Sequence, residues 1–214
     1  MNGKQNRLRA RDWIYLAVGL LIQVAVFAIT DSSPISFISA LAGVCCVILC
    51  SQRKISQYYF GLVQVLSYMI LSWHQRLYGE LIENVFYLVT IFIGLTNWKR
   101  YYDDNVVESR RLTARGWTVT IVSCLSAMVF FAWILNMTND TQPVLDSIST
   151  IPAFTAQILM INRYREQYVF WLILDVSTCV IWFRVGDWVL VSQYLFWITN
   201  CIYGWCKWSR DVRC

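Results

Sequence analysis

The sequence predicts an all-α integral membrane protein with eight transmembrane helices, and three observations carry that prediction. Of the 214 residues, 57% are hydrophobic and only 14% are charged, whereas a soluble domain carries about 25% charged residues. The apolar residues fall into eight segments, each near the ~20 residues that a bilayer requires. The cations gather in alternate connections, as the positive-inside rule demands of a polytopic protein.

The eight apolar segments alternate with short polar breaks that contain Pro, Gly, Asn, Asp and basic residues. Each break is too polar and too short to be anything but a turn between antiparallel helices. A longer, charged connection from Lys99 to Arg115 is predicted to be a solvated loop or a short helix. The segments are 13–30, 36–52, 57–74, 78–97, 116–136, 145–161, 167–185 and 188–206.

The distribution of Lys and Arg predicts that both termini are cytoplasmic. With the N-terminus inside, 16 of the 18 cations fall in inside segments, and only Arg76 and Arg184 fall outside. The net charge of +5 is therefore a sign of topology, and nucleic-acid binding is disfavoured. Basic residues precede the first apolar run, but no small-residue cleavage site follows it, so no cleavable signal is expected.

The chain also contains an internal repeat. At an offset of 110 residues the pairs are Glu83/Gln193, Tyr87/Trp197, Thr90/Asn200, Gly94/Gly204, Trp98/Trp208, Ser39/Ser149, Ile48/Ile158 and Leu49/Leu159. In the middle span the offset is taken as 111, which pairs Phe60/Trp171, Gln64/Asp175 and Ser67/Thr178. The change of one residue is attributed to a shorter turn at Gly186 and Asp187.

Each repeat holds three spans, and a single span, 116–136, separates them. The second repeat therefore crosses the membrane in the same direction as the first, which is the parallel type of repeat found in one class of transporter. The first span has no copy and is predicted to be an added helix. The predicted organisation is 1–35 (added helix), 36–100 (first repeat), 101–144 (loop and linker helix) and 145–214 (second repeat and tail).

The polar and charged residues that are most costly to bury in a membrane are predicted to lie near its midplane, between the two repeats. A repeat-built transporter binds its cargo there. Asp175 lies about eight residues into its span, and a carboxylate at that depth is a functional hypothesis by default. Gln64 is at the same depth in the first repeat. Steps of three and four define four helix faces: Trp171, Asp175, Thr178 and Trp182; Phe60, Gln64 and Ser67; Gln193, Trp197 and Asn200; and Glu83, Tyr87 and Thr90, with Asn84 beside them.

Together these faces predict a pocket with aromatic walls and a few amides and carboxylates. Such a pocket suits a flat polar or cationic heterocycle, because aromatic faces stack on it and Trp attracts cations. The alternative is that the amides and hydroxyls merely join helices by hydrogen bonds. Glu80 is expected to be solvated near the outer surface, and Trp98, Trp205 and Trp208 are expected to be interfacial anchors.

Two other classes of protein compete with a transporter. An enzyme needs a nucleophile–base pair or a metal cluster, and neither is visible in the sequence. The eight Cys include no C-x-x-C pair and His74 is the only His, so no zinc site, cofactor or catalytic residue is predicted. A receptor or scaffold remains open, although it would not require polar faces matched between two repeats.

Three stretches resemble the PnuC vitamin transporters over about residues 36–210. They are RKISQYYFGLVQV at 53–65, GLTNWKR at 94–100 and YGWCKW at 203–208. The resemblance implies a SWEET-like 3+1+3 core, a homotrimer in the cell inner membrane, and facilitated diffusion of nicotinamide riboside. It also implies that a cytoplasmic kinase traps the cargo by phosphorylation. Related branches carry thiamine, riboflavin or deoxynucleosides.

The sequence departs from that family's pattern inside the predicted pocket. Asn is usual where Gln64 and Asp175 stand, and the Asn that often precedes the exit glycine is absent from 89–93. The predicted function is therefore uptake of a cationic B-vitamin, nicotinamide riboside or alternatively thiamine, by alternating access. Trp171 and Trp197 are expected to stack on the heterocycle and Asp175 to balance its charge. The other predicted contacts are Gln64, Asn84, Tyr87, Trp182, Gln193 and Asn200.

Overall fold

The computed structural model describes residues 10–103, 106–137 and 143–210. Within these ranges the protein is a bundle of eight α-helices with one pair of two-residue antiparallel strands. The helices are α1 (Ala10–Ile29), α2 (Pro34–Ser51), α3 (Gln57–His74), α4 (Tyr78–Arg100), α5 (Ala114–Met137), α6 (Pro143–Ile161), α7 (Gln167–Val185) and α8 (Trp188–Arg210). The strands are β1 (Tyr102–Asp103) and β2 (Val106–Val107).

The eight predicted segments correspond to these eight helices, and their bounds differ by at most four residues, at the end of α8. Five helices, α1, α2, α4, α5 and α7, are long and apolar enough to cross a membrane. The helices α3, α6 and α8 have 18, 19 and 23 residues and are not among these five. Several long apolar helices in one chain make this a multi-pass membrane protein.

Six helices pack in a ring of contacts, and we divide them by chain order into the first triplet (α2, α3 and α4) and the second triplet (α6, α7 and α8). Inside each triplet the middle helix packs on both of its neighbours. The triplets meet along two seams, where α2 packs on α8 and α4 packs on α6. α5 packs on α6, and α1 packs on both α2 and α8.

One end of the bundle, which we call the basic end, gathers the turns after α2, α4 and α6 and the C-terminus of α8. The turns after α2 and α6 are similar: Arg53 and Arg163 both adopt a positive φ, of 58° and 67°. These two residues are 110 positions apart. The opposite end is joined by Asp187, which accepts hydrogen bonds from Ser32 at 3.3 Å and Ser36 at 2.5 Å.

The charged connection after α4 differs from its prediction, because its described part forms a strand pair and then a strap across the basic end. Val107 donates its backbone N–H to the carbonyl of Arg53 at 3.0 Å, and Arg110 donates to that of Arg163 at 2.7 Å. Val107 is fully buried and Ser109 is 2% exposed. The strap (residues 106–112) therefore ties the turns of both triplets together instead of lying in solvent.

The added helix α1 is fastened along the length of α8. Near the basic end Lys207 donates to Asp12 at 2.9 Å, and Tyr203 also donates to that carboxylate. Farther along, Tyr15 bonds to Thr199 at 2.9 Å and Ser192 donates to Gln23 at 2.9 Å. These contacts fix α1 over the seam between α2 and α8.

Trp98 and Trp208 are buried inside the protein and do not face the surroundings, so the prediction of interfacial anchors is wrong for this pair. Both side chains are fully buried. The indole of Trp98 donates to the carbonyl of Met160 at 3.0 Å, and that of Trp208 donates to the carbonyl of Cys50 at 3.1 Å. Each Trp thus reaches from one triplet to the turn of the other and belongs to the core of the basic end.

Candidate functional site

A cavity lies between the triplets, and residues from α2, α3, α4, α6, α7 and α8 line it. Helices of both triplets contribute aromatic, acidic and amide side chains, so the cavity has the mixed character typical of a site for an organic ligand. Its described lining residues include no Lys, Arg or His. Its aromatic residues are Tyr58, Tyr68, Tyr87, Tyr168, Trp171, Tyr194 and Trp197.

Seven of the nine sequence-predicted site residues line this cavity: Gln64, Asn84, Tyr87, Trp171, Asp175, Trp197 and Asn200. The helical spacing of three and four residues brings the members of each helix to one face. Because α3, α4, α7 and α8 all border the same cavity, those faces lie together. The other two residues, Trp182 and Gln193, lie outside the lining.

Trp182 packs behind the cavity instead of facing it. Its side chain is fully buried in a cluster with Tyr68, Leu190 and Tyr194. The indole N–H donates to the hydroxyl of Tyr68. Trp182 is therefore positioned to hold Tyr68, which does line the cavity.

Gln193 faces the seam between α8 and α2. A Cβ atom on Gly43 would lie 2.8 Å from the Gln193 amide nitrogen and 2.7 Å from the ring of Trp197. Glycine at this position therefore allows α2 to approach α8 closely. The Gln193 side chain is fully buried, and neither of its amide atoms has a hydrogen-bond partner.

Asp175 is the buried carboxylate of α7 and is 2% exposed. One of its oxygens, Oδ2, accepts a hydrogen bond from the thiol of Cys201 at 3.3 Å. The other, Oδ1, is buried and has no hydrogen-bond partner among the residues that the structure describes. A carboxylate oxygen without a donor in an apolar interior is costly, and it provides a ready acceptor or counter-charge for a ligand.

Two aromatic pairs form walls near that carboxylate. The rings of Tyr87 and Trp171 are 5.9 Å apart, and those of Tyr194 and Trp197 are 5.0 Å apart. The hydroxyl of Tyr87 and the indole nitrogen of Trp197 are buried without partners. The walls therefore combine flat apolar faces with unused hydrogen-bonding groups, which is what recognition of a polar heterocycle requires.

The end of the cavity away from the basic end is closed by a network around Tyr68. The Tyr68 hydroxyl donates to Glu80 at 2.9 Å and accepts from Tyr194 at 2.9 Å, as well as from Trp182. Glu80 is only 6% exposed, so the expectation of a solvated carboxylate is wrong. Glu83 also lines the cavity and is 2% exposed, which brings the acidic residues of the lining to three with Asp175.

Several amides of the cavity are already used between or within helices. Asn200 accepts from Ser51 at 3.0 Å and donates to the carbonyl of Val47 at 3.3 Å, so it joins α8 to α2. Asn84 donates to the carbonyl of Glu80 on its own helix at 2.8 Å. Gln157 of α6 donates to the hydroxyl of Thr90 at 2.8 Å and so joins α6 to α4.

The basic end gathers many of the described cations, of which Arg53 and Arg163 are each only 5% exposed. Burial and the neighbouring Arg53 lower the pKa of Lys54. Burial, followed by the charge of Arg110, lowers the pKa of Arg163, whose guanidinium lies 3.5 Å from the centroid of the Tyr101 ring. These cations surround the strap and not the cavity lining.

Sequence reasoning missed two tyrosines of the cavity, Tyr58 and Tyr168, although the repeat could have found them. They are 110 residues apart, and each packs against a glycine of the same offset, Gly94 or Gly204. With the offset of 111, Trp171 was paired with Phe60, which is 40% exposed and does not line the cavity.

At an offset of 110 the residue equivalent to Trp171 is Gly61, which does line the cavity. No comparable sequence signal marks Tyr68, Glu80, Gln157 or Tyr194. Their repeat equivalents are not the same residue type, and their roles depend on packing across the seams.

Known proteins resemble this chain over nearly its whole length. The family profile described as nicotinamide mononucleotide transporter matches residues 33–210. The nicotinamide riboside transporter PnuC of Neisseria mucosa is 30% identical over 215 residues, which cover 94% of this chain and 81% of that protein. The Haemophilus influenzae protein of the same name is 31% identical over 205 residues, covering 94% and 90%.

The fold is also that of a solved relative. The crystal structure of the vitamin B3 transporter PnuC matches with a TM-score of 0.86 and 27% identity, covering 95% of this chain and 92% of that chain. The match extends over the helices that form the cavity. The chain belongs to the nicotinamide mononucleotide transporter family, the family of the PnuC proteins.

Proposed function

We propose that this protein carries nicotinamide riboside across the membrane by facilitated diffusion. The observation that carries the proposal is the unpartnered, buried Oδ1 of Asp175 in a cavity with aromatic walls between two helix triplets. Nicotinamide riboside joins a cationic pyridinium ring to a neutral sugar. The names of the Neisseria and Haemophilus relatives support the same cargo.

The proposed contacts follow from the chemistry of each group. The pyridinium ring stacks on Trp171 or Trp197, because electron-rich indole faces attract flat cations. Asp175 balances the positive charge at short range. The carboxamide and sugar are oriented by Gln64, Asn84 and Tyr87. Asn200 holds α8 against α2 through its two hydrogen bonds and so positions Trp197.

The charge of the cavity favours the riboside over the mononucleotide. The described lining residues include three carboxylates, Glu80, Glu83 and Asp175, and no Lys, Arg or His. A phosphate group recognised in proteins is usually met by Arg, Lys or a helix N-terminus. The negative charge of a phosphate group would be repelled by these three carboxylates, so the mononucleotide is disfavoured.

The proposed architecture is a SWEET-like parallel repeat in a 3+1+3 arrangement, with α1 added and α5 as the linker. Support comes from contacts that recur at an offset of 110. The Tyr58–Trp98 and Tyr168–Trp208 ring pairs are equivalent, as are the hydrogen bonds of those two Trp residues to Met160 and Cys50. The proposed units remain 1–35, 36–100, 101–144 and 145–214.

The basic end is proposed to face the cytoplasm, because cations accumulate on that side of a membrane protein. Both termini then lie in the cytoplasm. The proposed membrane is the cell inner membrane, and the proposed assembly is a homotrimer. Transport proceeds by rocking the triplets about the cavity so that each end opens in turn. A cytoplasmic kinase would trap the riboside by phosphorylation, since the phosphorylated product fits this acidic cavity poorly.

Thiamine is the second candidate cargo, and Asp175 is the observation that favours it. A carboxylate suits any cationic aromatic vitamin, and the residue replaces the Asn that is usual in nicotinamide riboside carriers. Absence of binding by both compounds would favour a receptor or scaffold. The two vitamins differ in that only the riboside carries a sugar with three free hydroxyl groups.

The test is calorimetric titration of the purified protein with nicotinamide riboside, thiamine, riboflavin and thymidine. Binding of the riboside is expected, and Asp175→Asn should weaken it by ~2–4 kcal/mol, a factor of roughly 30 to 1000. Asp31→Asn, at an exposed position outside the cavity, is the matched control. Absence of binding by all four compounds would overturn the proposed function, and unchanged affinity in Asp175→Asn would overturn the charge pairing.

A further inference from the structure

The strap binds equivalent backbone atoms of the two triplets. The N–H of Val107 donates to the carbonyl of Arg53 at 3.0 Å. The N–H of Arg110 donates to the carbonyl of Arg163 at 2.7 Å. The two acceptor residues are 110 positions apart, and each lies in the turn that follows the first helix of its triplet. Two donors that are three residues apart on the strap therefore hold carbonyls that belong to different triplets.

The strap limits how far these two turns can move apart. An extended chain spans at most about 3.3–3.6 Å per residue, so the chain from Val107 to Arg110 covers about 10 Å. Opening of the basic end requires the turns after α2 and α6 to separate. Because the strap cannot lengthen beyond that span, one of its two attachments has to be released before this end opens.

The strap is fastened to the second triplet by several adjoining contacts. The carbonyl of Arg110 accepts from the N–H of Arg165 at 3.0 Å, which completes a two-bond bridge on either side of Tyr164. The guanidinium of Arg110 lies 4.7 Å from the centroid of the Tyr164 ring. The N–H of Leu112 donates to a carboxylate oxygen of Glu166 at 3.1 Å, and Glu166 is fully buried.

Two further groups of the strap bind the same triplet. The hydroxyl of Ser109 donates to the carbonyl of Trp208 at 3.3 Å. The guanidinium of Arg163 donates to the carbonyl of Glu108 at 3.4 Å. The chain then continues into α5, which packs on α6. The strap and α5 are therefore attached to the second triplet as one piece.

The chain on the other side of the strap has spare length. It folds back on itself after α4, because Tyr102 pairs with Val107 and Asp103 pairs with Val106. A two-stranded hairpin is only marginally stable by itself. Once unpaired, the chain from Arg100 to Val107 can extend over about 20 Å. This length allows α4 to move away with the first triplet while the strap stays in place.

Val107 separates the strap from the cavity. Its side chain is fully buried in the cluster that contains Cys50, Tyr58 and Trp98. Cys50 and Tyr58 also line the cavity. Withdrawal of Val107 would uncover these residues from the basic end. The contact that has to be released and the passage that has to open are therefore at the same place.

We propose that the strap is a gate at the basic end, that it moves with the second triplet, and that it detaches from the first triplet at Val107 when this end opens. The Val107–Arg53 bond breaks in each transport cycle, whereas the Arg110–Arg163 bond persists. The inference rests on the proposed function, because it assigns a moving part to the proposed rocking of the triplets. One of two equivalent turns is the release point, and the other is the anchor.

The test compares two disulfides that tie the strap to the two turns. Residues joined by a backbone hydrogen bond across paired segments have Cα atoms about 5 Å apart, which suits a disulfide. One variant combines Arg53→Cys with Val107→Cys, and its matched control combines Arg110→Cys with Arg163→Cys. Uptake of nicotinamide riboside into proteoliposomes is measured with each bond oxidised and again after reduction. Mass spectrometry without reductant confirms which cysteines are joined.

The two disulfides are expected to have opposite effects. The bond between positions 53 and 107 should lower the uptake rate at least about ten-fold, and reduction should restore it, because the gate then opens again. The bond between positions 110 and 163 should leave the rate within about two-fold of its reduced form, because that contact never opens. A block by both disulfides, by neither, or by the second alone would overturn the gate.

Amide hydrogen exchange of the unaltered protein gives an independent readout. With riboside present, the Val107 amide is expected to exchange faster than the amides of Arg110 and Leu112, because only the first is released during transport. Equal exchange of the three amides would overturn the asymmetric release. Absence of riboside uptake by the wild-type protein would instead overturn the proposed function, and the exchange rates would still decide whether Val107 is the release point.

Discussion

Trp98 and Trp208 lie 6.0 Å apart between ring centroids, and each donates its indole N–H to a backbone carbonyl of the opposite triplet. The acceptors, Met160 and Cys50, are 110 residues apart and are the penultimate residues of α6 and α2. This exchange makes the basic end a shared core instead of two separate helix ends. It also holds Tyr58 and Tyr168 at the cavity.

Removing one of these indole donors should destabilise the protein. Trp98→Phe keeps an aromatic ring but leaves the buried carbonyl of Met160 without its donor, which costs about 1–3 kcal/mol. The thermal midpoint in detergent is expected to fall. Trp133→Phe, at a 55% exposed position on α5, should leave it nearly unchanged. Equal midpoints for the two variants would contradict the structural role of Trp98.

Trp98 also shows how much of the fold the sequence can predict. The repeat pairs Trp98 with Trp208, and in the structure both indoles donate to a backbone carbonyl of the opposite triplet. Their depth near a helix end, however, favoured the membrane boundary, because hydropathy gives the position of a residue along a helix and not the neighbour it faces. Burial of both indoles depends on α4 meeting α6 and α8 meeting α2, which no local pattern reveals.

The candidate site was predictable to a similar extent. Helical spacing and the cost of buried polar groups selected Asp175, Trp171 and Trp197, all of which line the cavity. Spacing alone also selected Gln193, which faces Gly43 of α2 instead. Glu80 was missed because a carboxylate near a helix start is usually solvated, whereas here Tyr68 covers it.

A methyl group at Gly204 should disturb the basic end. In Gly204→Ala the new Cβ would overlap the ring of Tyr168, so the ring or the helix has to move, and overpacking of this kind costs about 1–3 kcal/mol. The control is Gly116→Ala on α5, where the nearest atom is the flexible tip of Leu112 at 3.2 Å. A lower thermal midpoint is expected for Gly204→Ala alone, and midpoints that match would contradict the close packing.

The Tyr68 network should contribute more to stability than an ordinary hydroxyl. Tyr68→Phe removes the donor to Glu80 and the acceptor for Tyr194 and Trp182 in a buried region. A loss of at least ~1–3 kcal/mol is expected, since several buried groups lose a partner at once. Thermal unfolding compared with Tyr59→Phe measures it, and a loss no larger than that of the control would show that the network contributes little.

Weakening the strap should expose the basic end of the cavity. Val107→Thr places a hydroxyl in a fully buried apolar position without changing the side-chain volume much. Val106→Thr, at a partly exposed position, is the control. Alkylation of Cys50, a buried free thiol that lines the cavity, should be faster in the first variant only, as measured by mass spectrometry. Equal rates would show that the strap does not close this end.

The contact of α1 with α8 should depend on its buried ion pair. In Asp12→Asn the ammonium group of Lys207 loses its counter-charge at 2.9 Å, and breaking a buried pair costs up to ~3 kcal/mol. Asp31→Asn, at an exposed site, should have little effect. Thermal midpoints measure both. A midpoint for Asp12→Asn equal to that of the wild type would mean that the ion pair contributes little and that α1 is held by its other contacts, such as the Tyr15–Thr199 and Ser192–Gln23 hydrogen bonds.

The place of α1 makes the two seams mechanically different. Both seams have their own hydrogen bonds, such as Asn200 to Val47 in one and Gln157 to Thr90 in the other. Only the seam between α2 and α8 also has α1 packed across it. The proposed rocking of the triplets is therefore expected to meet more resistance at the seam between α2 and α8 and to separate the helices mainly at the seam between α4 and α6.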